Sequence, residues 1–195
     1  VSVHSVTGNW AKVTYKGING YIHKTYLRLV NTSGKAVKNR VIVIDAGHGG
    51  KDPGASSNGG VEKQIVLKVA QKVQQKLVSD GAKVYMTRTG DTYPTLEDRV
   101  DFAFDHNAEV FVSIHVNSAT STQANGTETY YSVSGNANEA EDYRLASAIN
   151  SQIVKNADMY NRGVKTADFY VIKNMILPSV LVELGFVTNS ADREK

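Results

Sequence analysis

Two histidines and two glutamates are the residues through which this sequence can do chemistry: His48, Glu62, His115 and Glu183. Two imidazoles and one carboxylate make a three-ligand zinc site whose fourth position stays open for water. Bound zinc lowers the pKa of that water to about 7, and a remaining carboxylate can accept its proton and later deliver it to a leaving amine. A site of this kind hydrolyses amides. The residue types and their spacing leave open which glutamate binds the metal and which transfers the proton.

Three of the four residues follow apolar runs that predict buried strands. The runs are residues 41–44, 110–114 and 180–182, and they lead into His48, His115 and Glu183 respectively. Ligands of open α/β sheets bind at the carboxyl ends of parallel strands, so we expect these side chains at one rim of a sheet. Glu62 joins them, because the helix that it begins returns from the same end of the sheet.

Each of these residues has an ordinary structural interpretation when it is considered alone. A histidine at a strand end is more often hydrogen-bonded than a metal ligand, and a glutamate at a helix start usually interacts favourably with the helix dipole. Because imidazole and carboxylate groups are costly to bury without a partner, the convergence of four of them indicates a metal site. The glycines around His48 leave room for a bulky substrate, and their spacing matches neither the Walker nor the dinucleotide fingerprint.

The segments between the apolar runs predict helices, in an alternation typical of an α/β fold. We expect a twisted, mostly parallel sheet flanked by helices on both faces, preceded by a short N-terminal β segment. The first helix is predicted over residues 62–79, where apolar residues recur on one face, and Gly81 follows as its stop. Thr95 and Asp98 predict the cap of a second helix. Further strands are predicted at residues 83–87, 127–132 and 169–172, and a further helix carries Leu145, Ile149 and Ile153.

The first 40 residues have a different pattern from the rest. Residues 1–30 predict short strands with a turn at Asn19-Gly20. Residues 31–40 are polar and basic, which predicts a linker. We therefore expect a short β segment over 1–30, a linker over 31–40 and one main domain over 41–195.

Composition excludes several classes of function. The 195 residues are 41% hydrophobic and 21% charged, as in ordinary globular proteins, and none is cysteine. A disulfide framework, a thiolate nucleophile and a cysteine-ligated metal are thereby excluded. No apolar run approaches the roughly 20 residues of a membrane span, and no secretion signal opens the chain as given. The formal charge of +3 is scattered along the chain, so we expect no nucleic-acid partner, and a polyanionic cell wall fits the charge at least as well.

Several other polar residues are candidates for supporting roles. Asp45 is expected either to hydrogen-bond a ligand histidine or to cap the turn at the end of its strand. We expect Arg88, Arg99 and Asp98 to form structural or surface ion pairs. Asn117 and Glu128 are candidates for lining a substrate groove. We expect the other histidines, His4, His23 and His106, on the surface.

Four spaced motifs carry a family resemblance. They are VIDAGHGGKDPGA at 43–55, Glu62, SIHVN at 113–117 and VELGF at 182–186. Together they closely resemble the zinc-dependent N-acetylmuramoyl-L-alanine amidases of the amidase-3 family, over essentially all of 41–195. The resemblance implies that His48, Glu62 and His115 bind Zn²⁺ and that Glu183 is the catalytic carboxylate. It also implies a secreted, wall-associated and monomeric enzyme that cleaves the amide between N-acetylmuramic acid and L-alanine in peptidoglycan.

The resemblance carries expectations for other parts of the chain. Some members have a helical insertion that blocks the zinc, whereas residues 133–156 here predict a short turn and one ordinary helix, so we expect an open site. Members usually continue through a further helix, so we expect a slightly truncated C terminus. Residues 8–13 and 17–22 resemble the second half of a bacterial SH3-like domain, which makes the N-terminal segment a partial copy of that module.

Two rival functions remain open at this point. The same metal chemistry would serve a zinc carboxypeptidase or endopeptidase acting on the peptide stem, which would release shortened stems. A catalytically inactive wall-binding module would bind peptidoglycan without releasing product, but such a protein is expected to have lost at least one of the four residues, and this chain keeps all four.

Overall fold

The computed structural model describes residues 1–27, 29–32, 34–134 and 138–195. Its strands are β1 (Ser2–Thr7), β2 (Trp10–Tyr15), β3 (Ile18–His23), β4 (Val41–Ala46), β5 (Ser56–Ser57), β6 (Gly60–Val61), β7 (Lys83–Met86), β8 (Val110–Asn117), β9 (Thr127–Tyr131), β10 (Asn161–Thr166) and β11 (Ser179–Phe186). Its helices are α1 (Glu62–Ser79), α2 (Leu96–Asp105), α3 (Glu139–Ala157), α4 (Tyr170–Lys173) and α5 (Ser190–Glu194), with a short 3-10 turn at Lys24–Tyr26. Within those ranges, none of the helices is both long and apolar enough to cross a bilayer.

The main sheet holds its strands in the order β10-β9-β11-β8-β4-β7. The strands from β11 to β7 run parallel to one another. β9 runs antiparallel to β11, and β10 is parallel to β9. The expected α/β architecture, with a mostly parallel sheet and an N-terminal β segment, is confirmed.

Helices cover both faces of this sheet because its central strands send apolar side chains to both sides. Ile42 and Ile44 of β4 pack with Val66 and Ala70 of α1 on one face. Val43, between them, packs on the opposite face in the cluster that includes α2 and α4. Strands covered on both sides consist of continuous apolar runs, and their polar groups are therefore concentrated at the strand ends.

The first two helices begin where the sequence indicates. α1 begins at Glu62, and Gly81 lies just beyond its end with a φ of +91°. The Thr95 hydroxyl accepts a hydrogen bond from the Asp98 amide, and the Asp98 carboxylate accepts one from the Thr95 amide. These two bonds form the capping box of α2, so both predictions are confirmed.

The strand predicted at residues 169–172 is wrong, because this segment forms the short helix α4 with Phe169 as its N-cap residue. Val171 and Ile172 are buried against α2 from one helical turn. A short apolar run of β-branched residues does not distinguish a strand from a buried helical turn. The nearby strand is instead β10, whose residues are mostly polar.

The turn predicted at Asn19-Gly20 is also wrong. β1, β2 and β3 form an antiparallel sheet, and the β2-β3 turn lies at Lys16-Gly17, with φ values of +48° and +80°. Asn19 and Gly20 lie inside β3, opposite Thr14 and Val13. A turn at Asn19-Gly20 would leave only Tyr21–His23 to pair before the 3-10 turn begins, whereas the observed turn pairs six residues on each strand.

The segment between this small sheet and β4 packs on the main domain. In the described part of residues 31–40 the chain forms turns, without a strand or a helix. Val37 packs against the core, and the Asn39 amide donates to the Gly81 carbonyl at 2.7 Å. The division into residues 1–30, 31–40 and 41–195 stays a prediction.

Candidate metal centre and active site

The three predicted strand ends lie side by side at one rim of the sheet. β8 pairs with both β4 and β11, and His115 is the direct register partner of Glu183. His48 follows the end of β4 by two residues, and Glu62 begins α1 at the same rim. The structure therefore brings together the four residues that the sequence singles out.

Three donor atoms of this group form a nearly regular triangle. His48 Nε2 lies 3.1 Å from Glu62 Oε1, Glu62 Oε1 lies 3.0 Å from His115 Nδ1, and the two imidazole nitrogens lie 3.1 Å apart. Tetrahedral zinc ligands at ~2.0–2.1 Å from the metal stand about 3.3 Å from one another. The spacing and the nitrogen and oxygen donor set therefore fit a zinc ion.

Glu62 is buried and fixed by hydrogen bonds to both oxygens. Oε1 accepts from the Val116 amide at 2.9 Å, and Oε2 accepts from the Ala55 amide at 2.8 Å. Burial alone would raise the pKa of Glu62, but the hydrogen bonds with His115, His48 and these amides hold it well below its usual range. Glu62 is therefore negatively charged at neutral pH.

His48 is oriented by Asp52, a residue that sequence reasoning missed. The Nδ1 atom of His48 lies 2.8 Å from Oδ2 of Asp52, so Nδ1 carries a proton, and in the neutral imidazole the lone pair is on Nε2, facing the triangle. Burial works to lower the pKa of His48, but the hydrogen bond and charge of Glu62, followed by those of Asp52, raise it to about 8. The available signal was the position of Asp52, four residues after His48 in the same glycine-rich loop.

Asp45 has neither of the two roles expected of it. Its carboxylate is 1% exposed and accepts hydrogen bonds of 2.6 Å from each of Arg99, Thr87 and Ser113. Burial works to raise the pKa of Asp45, but the Arg99 charge and these bonds hold it below its ordinary value. Alternation along β4 places Asp45 on the face of Val43, under α2, and this explains why it reaches Arg99 instead of a histidine.

Two buried arginines hold the backbone of the loop that carries His48. Arg88 donates to the carbonyls of Ala46 at 2.8 Å and Gly47 at 2.7 Å. Arg99, besides its ion pair, donates to the carbonyls of Ala46 at 2.9 Å and His48 at 2.8 Å. His48 has a φ of +57°, in a region that residues other than glycine rarely occupy. The two guanidinium groups therefore hold a strained backbone position from which the imidazole reaches the triangle.

Glu183 stands beside the triangle with a buried oxygen. Among the described residues, its Oε2 has no hydrogen-bond partner. Burial, followed by the charges of Glu62 and Glu128, raises the pKa of Glu183 to about 8. A carboxyl with a near-neutral pKa suits both the acceptance and the donation of a proton. The cleft in front of these groups has a volume of about 230 Å³, and its rim carries Tyr93, Phe169 and Tyr170.

The remaining candidates lie around this site or outside it. Glu128 of β9 is buried and lies next to Glu183 of β11. It accepts a hydrogen bond of 2.8 Å from Asn117. Asp98 caps α2. The histidines outside the triangle are His4, which is exposed and bonded to Thr14, His23 beside Trp10, and His106, which stacks on Phe102.

Residues 42–195 match the profile of the family described as N-acetylmuramoyl-L-alanine amidase (Amidase_3). The chain belongs to this amidase family. The match covers the main sheet from β4 onward, with its helices and all four site residues, and leaves the N-terminal sheet outside.

Individual relatives agree with this assignment. The chain is similar to N-acetylmuramoyl-L-alanine amidase LytC of Bacillus subtilis, with 42% identity over 168 residues, 86% of this chain and 34% of LytC. The uncharacterized protein YqiI of B. subtilis is 47% identical over 159 residues, 82% of this chain and 76% of YqiI. This chain thus spans about a third of the length of LytC and three quarters of that of YqiI.

A solved structure supports the fold of the amidase domain. The catalytic domain of CwlV, an N-acetylmuramoyl-L-alanine amidase from Bacillus (Paenibacillus) polymyxa var. colistinus, superimposes with a TM-score of 0.73 at 37% identity. The superposition covers 80% of this chain and 85% of the CwlV domain. The α/β architecture is therefore shared with an amidase catalytic domain.

Adding a methyl group at Gly54 is expected to weaken metal binding by the amidase site. A Cβ there would lie 2.5 Å from Glu62 Oε2 and 2.7 Å from His48 Cδ2, so the side chains of both proposed metal ligands would have to move. We expect Gly54→Ala to bind zinc about 10- to 100-fold more weakly, the loss typical of disturbed ligand support, in a competition titration with a chromophoric chelator.

Gly59→Ala is the matched control for this change. Gly59 also has a positive φ, +82° against +64° at Gly54, but a Cβ at Gly59 meets nothing within 4 Å. Both variants carry backbone strain, and only Gly54→Ala displaces the donors. Equal zinc affinities in the two variants would show that the close approach at Gly54 does not position the triangle.

Asp52→Asn tests the orientation of His48 in the same amidase site. The neutral amide is a weaker acceptor for the Nδ1 proton, so we expect zinc affinity to fall about 10- to 100-fold. Asp91→Asn is the control, because Asp91 accepts from the Gly50 amide and Lys63 beside the same loop and contacts none of the donors. Calorimetric titration of both variants with zinc distinguishes them, and a loss of the same size in Asp91→Asn would assign the effect to the loop as a whole.

Proposed function

We propose that this chain is a zinc-dependent N-acetylmuramoyl-L-alanine amidase, which hydrolyses the amide joining N-acetylmuramic acid to L-alanine in peptidoglycan. The observation that carries the proposal is the triangle of His48 Nε2, Glu62 Oε1 and His115 Nδ1 beside the buried carboxyl of Glu183. Membership of the amidase family supports the choice of substrate.

In this proposal His48, Glu62 and His115 hold the metal, and their supporting contacts keep them in place. When bound there, zinc supplies a water of lowered pKa and a positive charge for the oxygen of the scissile carbonyl. Asp52 keeps the Nε2 lone pair of His48 turned to the site, and the Val116 and Ala55 amides keep Glu62 charged. The donors are therefore preorganised by the fold.

Glu183 moves the proton in the proposed reaction. Its carboxyl accepts a proton from the attacking water and delivers it to the nitrogen of the leaving L-alanine. Glu183 is the register partner of His115, which places its carboxylate beside the residues that would hold the metal. One of its oxygens, Oε2, is buried in the wall of the cleft, which limits exchange of the proton with bulk solvent.

The site of action follows from the substrate. Peptidoglycan lies outside the plasma membrane, so we place the working enzyme in the cell wall, as a secreted and monomeric protein. We assign residues 41–195 to catalysis, residues 31–40 to a linker and residues 1–30 to a partial SH3-like segment. The mild positive charge of +3 is consistent with attachment to a polyanionic wall.

Mass spectrometry of the soluble products from purified peptidoglycan tests this function. We expect intact stem peptides beginning at L-alanine, and their release should stop after chelator treatment and return when zinc is added back. Shortened stems would instead identify a zinc peptidase. Absence of product from folded, zinc-loaded protein that still binds the wall would identify a binding module.

A further inference from the structure

A second charged group lies next to Glu183 on the same face of the sheet. β9 is the neighbour of β11 on the side away from β8, and Glu128 of β9 is the register partner of Glu183. Directly opposed residues on antiparallel strands have Cβ atoms about 4.5–5.5 Å apart. Glu128 therefore lies one strand outward from the proposed proton-transfer group, on the side opposite His115.

The Glu128 carboxylate is buried, and both its oxygens are engaged. Oε1 accepts from Asn117 Nδ2 at 2.8 Å and from the Tyr130 hydroxyl at 2.9 Å. Oε2 accepts from Arg162 Nε at 2.9 Å and from Lys165 Nζ. Four donors fill the acceptor sites of a carboxylate, so Glu128 has no remaining capacity to bind substrate itself. Its effect is to anchor two cations.

The two cationic side chains carry more positive charge than Glu128 neutralises. Arg162 and Lys165 share the single negative charge of Glu128, and their side chains are 30% and 39% exposed. In the described part of the chain, Arg162 Nη2 and two of the three Lys165 donors have no acceptor. The Phe186 ring, 4.8 Å from the guanidinium carbon, holds the Arg162 plane in position. Preorganised positive charge with free donors suits a carboxylate ligand.

The edge strand β10 presents this pair beside the cleft. Lys165 is the register partner of Tyr130, whose ring lies 5.2 Å from that of Phe169 at the rim. Val164 packs with α3 on the opposite face of the sheet, so alternation directs Lys165 to the face of Glu183. A substrate seated at Glu183 and extending outward along the sheet would therefore meet the two cations.

We propose that Arg162 and Lys165 form a subsite for the α-carboxylate of the second stem-peptide residue, and that they set a preference for its free form over its amidated form. The proposal rests on the proposed function. In the stem, L-alanine is followed by a glutamyl residue joined through its γ-carboxyl, which leaves the α-carboxyl free or converted to an amide. That group lies about 7 Å beyond the cleaved bond, since an extended chain advances ~3.3–3.6 Å per residue. β10 lies two strand spacings, about 9.6 Å, from β11, and the side chains of Arg162 and Lys165 reach back to Glu128, one spacing of about 4.8 Å from Glu183. The cationic groups therefore lie between these two distances, a range that includes about 7 Å.

The proposed subsite distinguishes the free acid from the amide by charge. A carboxylate accepts charge-assisted hydrogen bonds from both cations, and these are roughly twice as strong as neutral ones. An amide at the same place is neutral and has one oxygen that can accept, while its NH2 group turns two N–H donors towards groups that also only donate. We expect the free acid to have a kcat/KM about tenfold or more above that of the amide.

The test compares N-acetylmuramoyl-L-alanyl-D-isoglutamate with N-acetylmuramoyl-L-alanyl-D-isoglutamine as substrates of the full zinc-loaded chain. Lys165→Met and Arg162→Met are each expected to lower kcat/KM for the acid about tenfold and to change that for the amide by less than about twofold. Lys155→Met removes the same charge from an exposed position on α3 and is expected to keep the preference. A loss of equal size on both substrates in Lys165→Met would overturn the proposal, because it would show a structural role.

Binding of the product dipeptides keeps the two proposals distinguishable. Calorimetry with L-alanyl-D-isoglutamate and its amide needs no turnover, and we expect tighter binding of the acid, lost in Lys165→Met. Cleavage of both muropeptides with equal kcat/KM would overturn the subsite and leave the proposed function standing. If neither the muropeptides nor peptidoglycan is cleaved, the proposed function fails, and the difference in dipeptide affinity still decides whether the subsite exists.

Discussion

Glu183→Gln is expected to lower kcat about 10²- to 10⁴-fold while the protein keeps its full zinc content. The glutamine side chain has the same shape, so it fills the same place on β11, but it neither accepts a proton from water nor delivers one to the leaving amine. Glu183 lies outside the triangle of donors, so the metal should remain. The rate of stem-peptide release and the zinc content by elemental analysis are measured on one preparation.

Glu97→Gln provides the control for this variant. Glu97 is exposed in the first turn of α2 and contacts none of the donors, so kcat should stay within about twofold of the wild type. Turnover near the wild-type level in Glu183→Gln would remove Glu183 from the proton-transfer role. Loss of zinc together with activity would show that Glu183, instead of Glu62, is the metal ligand.

Glu62→Gln is expected to abolish both zinc binding and hydrolysis. The change removes the negative charge from a triangle that otherwise holds two imidazoles, and an amide has only one oxygen for the interactions that Oε1 and Oε2 make now. We expect a loss of zinc affinity larger than the ~10- to 100-fold that follows disruption of a ligand's support. Competition titration gives the affinity, and thermal unfolding with and without zinc shows whether the fold survives.

The unfolding measurement separates lost ligation from lost folding. Zinc at 100 times its dissociation constant stabilises a native protein that binds it by about 2.7 kcal/mol, so the wild-type midpoint should rise on addition of zinc. Glu62→Gln is expected to show a cooperative transition that zinc does not shift. A shift equal to that of the wild type would mean that Glu62 is not a ligand.

The arrangement of the four site residues was predictable because it depends on sheet topology. Apolar runs indicate strands covered on both faces, and residues that follow such strands share a rim wherever the strands are parallel. His115 and Glu183 follow their runs directly, and they are register partners. Glu62 begins α1, whose bounds follow from helical periodicity. The proposed roles of the two glutamates came from the family resemblance, since spacing treats them alike.

The supporting contacts were not predictable, because they depend on loop conformation and on the side to which single residues turn. The spacing of Asp52 from His48 is visible in the sequence, but the conformation of the loop that pairs them, with a φ of +57° at His48, is not. Arginine is a residue type that usually lies on the surface, yet Arg88 and Arg99 are 3% and 2% exposed and donate to backbone carbonyls. The edge strand β10 lacks an apolar alternation, because Arg162 and Lys165 turn to a carboxylate instead of a core.

The distribution of the three donors along the chain has a consequence for how the protein folds. His48, Glu62 and His115 meet only after β8 has paired with β4, which brings together segments separated by a whole helix-strand-helix unit. The entropy of closing that long loop must be overcome before an ion gains its three contacts. A metal bound here therefore cannot nucleate folding, unlike one held by closely spaced ligands in a zinc finger. It acts on the native state alone, so it prolongs the lifetime of the folded chain without speeding its formation.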